Sequence, residues 1–306
     1  MSGHWRDRPE GGGRFGLWLI RAIALHGGRR LGRCCLYPVT LYFMLRRGEE
    51  RRASRQYLQR VLGRRARGWQ VFRHLHAYAA TSLDRIYLLA HGEQGFDIRI
   101  EGLAVLEAAI AQGRGVLLVG SHQGSFEALR ALSTRRPDVP LRVLLDKQKT
   151  PAMTEMLEAL APEVGAAVID TAQGGVAITL AAAEACRKGA MVALLADRAR
   201  EHEVLCRADF LGRPAPLPVG PWLLANALQV PVLLCFGLYL GGNRYRLVFE
   251  PFAERIEIPR QARAVALDGL VARYAARLEH YARAYPYNWF NFHDFWQGPE
   301  DAHDPA

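Results

Sequence analysis

The stretch VLLVGSHQGSFE, residues 116–127, decides the fold. Its four leading apolar residues, Val116 to Val119, are too few for a buried helix and suit a strand covered on both faces. Gly120 ends the run, and Ser125 stands where an N-cap would open a helix over residues 126–132. A buried strand that passes at once into a helix is half of a βαβ unit. In parallel sheets, ligands collect beyond the carboxyl ends of the strands. The chemistry is therefore to be sought just after Val119, Leu145, Ile169 and Leu195.

The flanking sequence repeats the alternation. Apolar or alternating runs predict strands at residues 97–101, 142–145, 166–169, 191–195, 232–236 and 244–249. Helical patterns fill residues 103–111, 151–160, 176–187, 221–228 and 261–284. The expected fold is α/β, a mostly parallel central sheet with helices on both faces, preceded by a basic, apolar helical N-terminal segment. No internal repeat or low-complexity linker divides the sheet-forming part. The expected organisation is a membrane-associating extension at residues 1–96 and an α/β domain at residues 97–306.

His122 and Glu127 are the chemistry-bearing residues of the opening stretch. Five positions apart, they would be separated by about 140° on a continuous helix. They can meet only if His122 lies in the turn and Glu127 in the helix's first turn, a passage that Gly120 and Gly124 permit. A carboxylate there is favoured by the helix dipole and can accept one imidazole N–H, leaving the other nitrogen as a base. The alternative is a hydrogen-bonded turn histidine beside an ordinary first-turn glutamate. A phosphate-cradling loop is disfavoured, since the turn has neither the Walker lysine nor the G-x-G-x-x-G spacing.

Strand–GSHQGSFE–helix resembles the His-x4-Asp/Glu block of the lysophospholipid acyltransferase superfamily, in particular the branch with the late (lauroyl/myristoyl) acyltransferases of lipid A biosynthesis. The similarity continues through Leu194-Leu195-Ala196-Asp197-Arg198, Phe210–Ala215, Pro218–Pro221, Ala225 and Pro231-Val232. Tyr285–His293 and the basic, apolar start are similar to that branch as well. The chain departs from the phospholipid-making members in having Ser121 before the histidine and no F-P-E-G-T block. The resemblance thus favours a glycolipid, lipopeptide or other acceptor over glycerol 3-phosphate.

The resemblance implies a glycerol-3-phosphate acyltransferase-like fold and an acyltransferase of the EC 2.3.1 class. His122 would deprotonate an acceptor hydroxyl or amine as it attacks an acyl thioester, and Glu127 would hold the imidazole. The donor would be acyl carrier protein more readily than coenzyme A, as co-substrate and not as bound cofactor. The oxyanion stabiliser would be the N–H groups of the Gly124–Phe126 turn or Arg198. Ser125, Lys147, Asp197, Arg198, Gly212 and Pro218 are the expected substrate-binding residues. Asp197 and Arg198 also suit a structural ion pair, and Lys147 a solvated surface. His74 and His76, two apart on a predicted helix, read as structural, and the aromatic run after residue 285 as closing a core.

Composition limits the alternatives. Half the residues are apolar and 23% charged, as in a globular chain with a sizeable core, and the mean hydropathy is −0.06. Five cysteines without a C-x-x-C pair argue against a disulfide or zinc scaffold, and no metal is expected. The net charge of +10 is unevenly placed: residues 1–73 hold 17 Arg against 4 acidic residues, a balance of +13, and the remainder carries −3. Two apolar stretches there, residues 15–25 and 36–45, fall short of the ~20 residues a spanning helix needs. No small-residue cleavage site follows, so a signal peptide is not expected. The pattern fits helices lying in an anionic interface, the alternative being helices packed on the protein's own core with arginines as solvated faces. The expected setting is peripheral or monotopic, on the cytoplasmic face of a bacterial inner membrane. Expected partners are anionic membrane lipids, acyl carrier protein and an amphiphilic lipid acceptor. Nucleic acid is not among them, because apolar runs interrupt the basic clusters and no binding motif is present. The runner-up is a non-catalytic lipid- or acyl-binding protein of the same fold.

Overall fold

The computed structural model describes residues 13–129, 138–148, 154–155, 159, 165–199 and 203–296. The helix expected at residues 151–160 and the end of that expected at 126–132 lie largely outside them. Seven strands form one sheet: β1 (Asp97–Glu101), β2 (Val116–Gly120), β3 (Leu141–Leu145), β4 (Val168–Asp170), β5 (Met191–Leu195) and the later pair β8 (Val232–Gly241) and β9 (Arg244–Ala253). Their order is β1-β9-β8-β2-β5-β3-β4, parallel except at the β8–β9 hairpin. The predicted α/β architecture is the observed one.

Alternation along β2 explains the coverage of both faces. Leu117 and Val119 enter a cluster with Ala182 of α5 (Gly175–Arg187), Ala225 of α6 (Gly220–Leu228) and Tyr274 of α7 (Arg263–Ala284). Val116 and Leu118 face the other way, with Leu106 and Ala109 of α4 (Leu103–Ala111). All five residues of β2 are buried, as a central parallel strand requires. The first helices belong to this body as well. Tyr57, Leu58 and Val61 of α2 (Gly48–Leu62) and Val71 of α3 (Gly68–His91) pack in the same cluster as Trp289.

The first helix, α1 (Gly13–Arg46), breaks at Gly28, whose φ is 73°. One position later it is knotted to the core. Arg29 Nε meets Asp84 Oδ1 at 2.8 Å, and Arg33 Nη2 and the Tyr245 hydroxyl reach Asp84 Oδ2 at 2.6 and 2.7 Å. Both guanidinium groups also donate to the Gly242 carbonyl in the β8–β9 turn. Asp84 is fully buried, so three donors on one carboxylate compensate its lost hydration. Among the described residues no helix is long and apolar enough to cross a membrane.

One element was not expected. Residues 205–218 form a hairpin, β6 (Leu205–Phe210) and β7 (Arg213–Pro218), apart from the main sheet. Pro214, Pro216 and Pro218 occupy alternate positions of β7. Alternate residues point their backbone N–H to one edge, and an isolated ladder uses only one edge of β7, so prolines on the other cost no pairing. Leu211 and Gly212 turn the hairpin with φ of 53° and 77°, the two positive values of a type I′ turn.

Candidate active site

β2 ends at Gly120, whose carbonyl accepts from Ala196 N at 3.0 Å and from the Tyr274 hydroxyl at 2.8 Å. The chain then turns sharply. Gly124 has φ +64°, its N–H donates to Asn288 O, and Ser125 N donates to Gly237 O at 2.7 Å. Asn288 in turn grips β8, accepting from Tyr239 N and donating to Tyr239 O. His122 is thus fixed at the carboxyl end of the central strand, where the sheet topology directs ligands.

The carboxylate partner of His122 is Asp197, just past the end of the adjacent β5. Nδ1 of the imidazole lies 2.8 Å from Asp197 Oδ1, and the His122 backbone N–H donates to Oδ2 at 3.0 Å. The Trp289 indole N–H donates to the same Oδ2 at 2.8 Å. Asp197 is fully buried, whereas the His122 side chain is 32% exposed. Burial would raise the Asp197 carboxyl, but the imidazole, Arg198 and the indole outweigh it and hold the group well below the usual carboxylate range. A permanent anion on Nδ1–H fixes the tautomer and leaves Nε2 as the basic nitrogen.

Burial and then Arg198 push the His122 pKa below its ordinary value of 6.5, while Asp197 pulls it up and Arg85 adds to the lowering. The imidazole is therefore neutral near pH 7, the state a general base requires.

Glu127 stands differently from the sequence expectation. Its Oε1 pairs with Arg85 Nε of α3 at 2.6 Å, and Oε2 accepts from the Ser125 hydroxyl at 3.1 Å. The helix turn there is a 3-10 segment, Phe126–Leu129. Glu127 thus holds the guanidinium that bears on His122, and Asp197 bears on the imidazole directly. The 75-residue separation of that pair left no spacing signal; only the placement of both at strand ends marked them.

The remaining expected residues scatter. Arg198 follows Asp197 and donates through Nη2 to Phe290 O, and Phe290 N donates to His122 O at 2.9 Å. Of the turn N–H groups considered for an oxyanion, those of Gly124 and Ser125 are already committed. Lys147, after β3, donates its backbone N–H to Asp170 at 3.3 Å. Gly212 is exposed at the hairpin tip and Pro218 is buried at its end. Sequence reasoning gave no role to Arg85 and Tyr274, which lie outside the quoted blocks, and read Asn288 and Trp289, within the Tyr285–His293 block, only as closing a core. Among the described residues, no group of three or more His, Cys, Asp or Glu side chains is arranged to hold a metal ion.

Residues 15–298 match the profile of a family described as bacterial lipid A biosynthesis acyltransferase. The chain belongs to that family. It is accordingly an acyltransferase of the EC 2.3.1 class, working on lipid with an acyl donor and a lipid acceptor. No curated protein gives a significant match to the chain.

Proposed function

We propose that this chain moves a fatty acyl group from an acyl carrier protein thioester to a hydroxyl or amine of a membrane glycolipid, with His122 as general base. The observation that carries this reading is the imidazole tied through Nδ1 to buried Asp197 at the carboxyl end of the central strand. Nε2 takes the acceptor's proton as its oxygen or nitrogen attacks the thioester carbonyl. Asp197 stabilises the imidazolium that results, and Arg198, whose charge bears on His122, is the proposed stabiliser of the oxyanion. Collapse of the tetrahedral intermediate breaks the C–S bond, and the departing thiolate takes the proton from the imidazolium. No covalent acyl-enzyme is needed, so transfer is direct. The acidic carrier protein is favoured over coenzyme A by the +13 balance of residues 1–73. Incubating purified protein with labelled acyl carriers and a total-lipid extract should give one labelled glycolipid, identified by mass. Binding of acyl chains or lipid without a labelled product would make this a binding protein.

The same reading places the protein on the cytoplasmic face of the inner membrane without a span. Tyr37, Leu41 and Leu45 recur every four residues on α1 and are 58%, 51% and 69% exposed, with Trp69 at the start of α3 54% exposed. Exposed Arg46, Arg47, Arg65 and Arg67 flank this stripe in sequence. Apolar side chains bordered by cations fit acyl chains beneath anionic headgroups. Leu41→Glu combined with Leu45→Glu should weaken sedimentation with phosphatidylglycerol-containing vesicles by at least about tenfold, since each buried leucine is worth about 1.5–3 kcal/mol. Unchanged sedimentation would remove this face from the membrane contact.

A further inference from the structure

His74 is a buried histidine that the proposed reaction does not use. It is fully buried on α3, with Ser54 Oγ of α2 at 2.9 Å from Nδ1 and the Trp289 carbonyl at 2.8 Å from Nε2. Since a carbonyl only accepts, Nε2 carries the proton and Nδ1 accepts from the serine hydroxyl. Burial keeps this imidazole neutral, lowering its pKa to about 4 against the pull of the Trp289 carbonyl. Trp289 is fully buried too, its ring edge-on to Tyr57, Phe210 and Phe295 at 4.9 to 5.1 Å. Its indole N–H is the donor to Asp197 Oδ2.

These contacts make one unbroken chain from the N-terminal helices to the imidazole: Ser54, His74, Trp289, Asp197, His122. We infer that Trp289 and His74 are positioning residues for the base, Trp289 by fixing and moderating the Asp197 carboxylate and His74 by fixing Trp289. This deepens the proposed reaction and rests on it for the kinetic consequence, though not for the electrostatic one. Asp197 Oδ2 receives two N–H groups, from Trp289 and the His122 backbone, while Oδ1 faces the imidazole. With both oxygens engaged, the carboxylate is held against Nδ1. The indole also draws off part of the negative charge, so removing it leaves a stronger partner for the imidazolium. The charged groups that bear on His122 are Asp197 and Arg198 from the β5 end and Arg85 from α3, the last paired with Glu127. Trp289→Phe leaves all of them in place and keeps most of the ring packing.

The test is an NMR titration of the His122 imidazole, its signal assigned with His122→Ala, alongside the kinetics of acyl transfer. In folded Trp289→Phe the His122 titration should move upward by about 0.5–1 pH unit. kcat should fall about tenfold with KM unchanged, the scale of a slight misplacement of a reacting group. His74→Leu should lower kcat in the same sense, and His74→Gln, which keeps an N–H for the Trp289 carbonyl, should restore much of it. An unmoved His122 titration in folded Trp289→Phe would overturn the inference, whether or not kcat falls, because packing damage alone would then explain the loss. A moved titration in a protein whose wild type transfers no acyl group would strike the proposed reaction and leave the positioning role standing.

Discussion

His122→Ala is expected to lower kcat/KM for acyl transfer by about 10²–10⁴-fold, the contribution of a positioned general base. Asp197→Asn should fall in the same range although it is nearly isosteric. An amide can present N–H to Nδ1 and so favour the wrong tautomer, with the proton on Nε2 where the base must be free. The pH dependence isolates the part played by Asp197. In the wild type, burial and Arg198 hold the His122 pKa below 6.5, so the rate should climb on the acid side and reach its plateau near neutrality. Asp197 is the group that raises that pKa, so the small residual activity of Asp197→Asn should have its acid limb displaced to lower pH. Profiles of kcat/KM with a labelled acyl thioester measure both effects. Wild-type kcat in folded Asp197→Asn would mean that His122 works without this carboxylate.

Gly124→Ala should be strongly destabilising. A Cβ there would lie 1.9 Å from the Gly237 carbonyl oxygen and 2.9 Å from Tyr239 N, both backbone atoms that cannot step aside. The residue also needs φ +64°, where side chains are strained. The obstruction is mutual, since a Cβ on Gly237 would lie 2.0 Å from the Ser125 carbonyl oxygen. Two backbones touch here because the catalytic turn is hydrogen-bonded directly onto β8. The cost should be about 3 kcal/mol or more from overpacking and strain together. In a thermal melt of a chain of 306 residues that corresponds to a fall in Tm of about 5 °C or more. Gly95→Ala is the control: φ is +80° but nothing lies within 4 Å of the added Cβ, so only the backbone strain of about 1 kcal/mol applies. Equal losses in the two variants would show that close approach contributes nothing.

Sheet and site were not equally readable in the sequence. Strand β5 falls where an uninterrupted apolar run puts it, because a strand buried on both faces must be apolar throughout. Edge strand β1 falls where alternation puts it, with Ile98 buried between exposed Asp97 and Arg99. The hairpin of β6 and β7 was hidden by its prolines, whose usual meaning is the end of a strand, and only the lone two-stranded context reverses that meaning. His122 was found because a glycine-flanked turn after a buried strand is a local signal. Its pairing with Asp197 was not, since the meeting of β2 with β5 is set by the order of strands in the sheet, which local patterns do not encode. Glu127 lay close to the histidine in sequence, yet Arg85 from a distant helix claims it. Trp289 looked like ordinary core filling because nothing in an aromatic run tells a ring that only packs from one whose N–H reaches a carboxylate.

The knot around Asp84 governs how the molecule could rest on a lipid surface. Arg29 and Arg33 lie between the break at Gly28 and the stripe of Tyr37, Leu41 and Leu45, so the stripe is welded to the body rather than hung from it. Tilting the stripe on its own would strip a buried anion of its donors. A bilayer that receives those side chains therefore receives the catalytic body at one set inclination, and the height of His122 above the lipid becomes a built-in ruler for the headgroups it can reach.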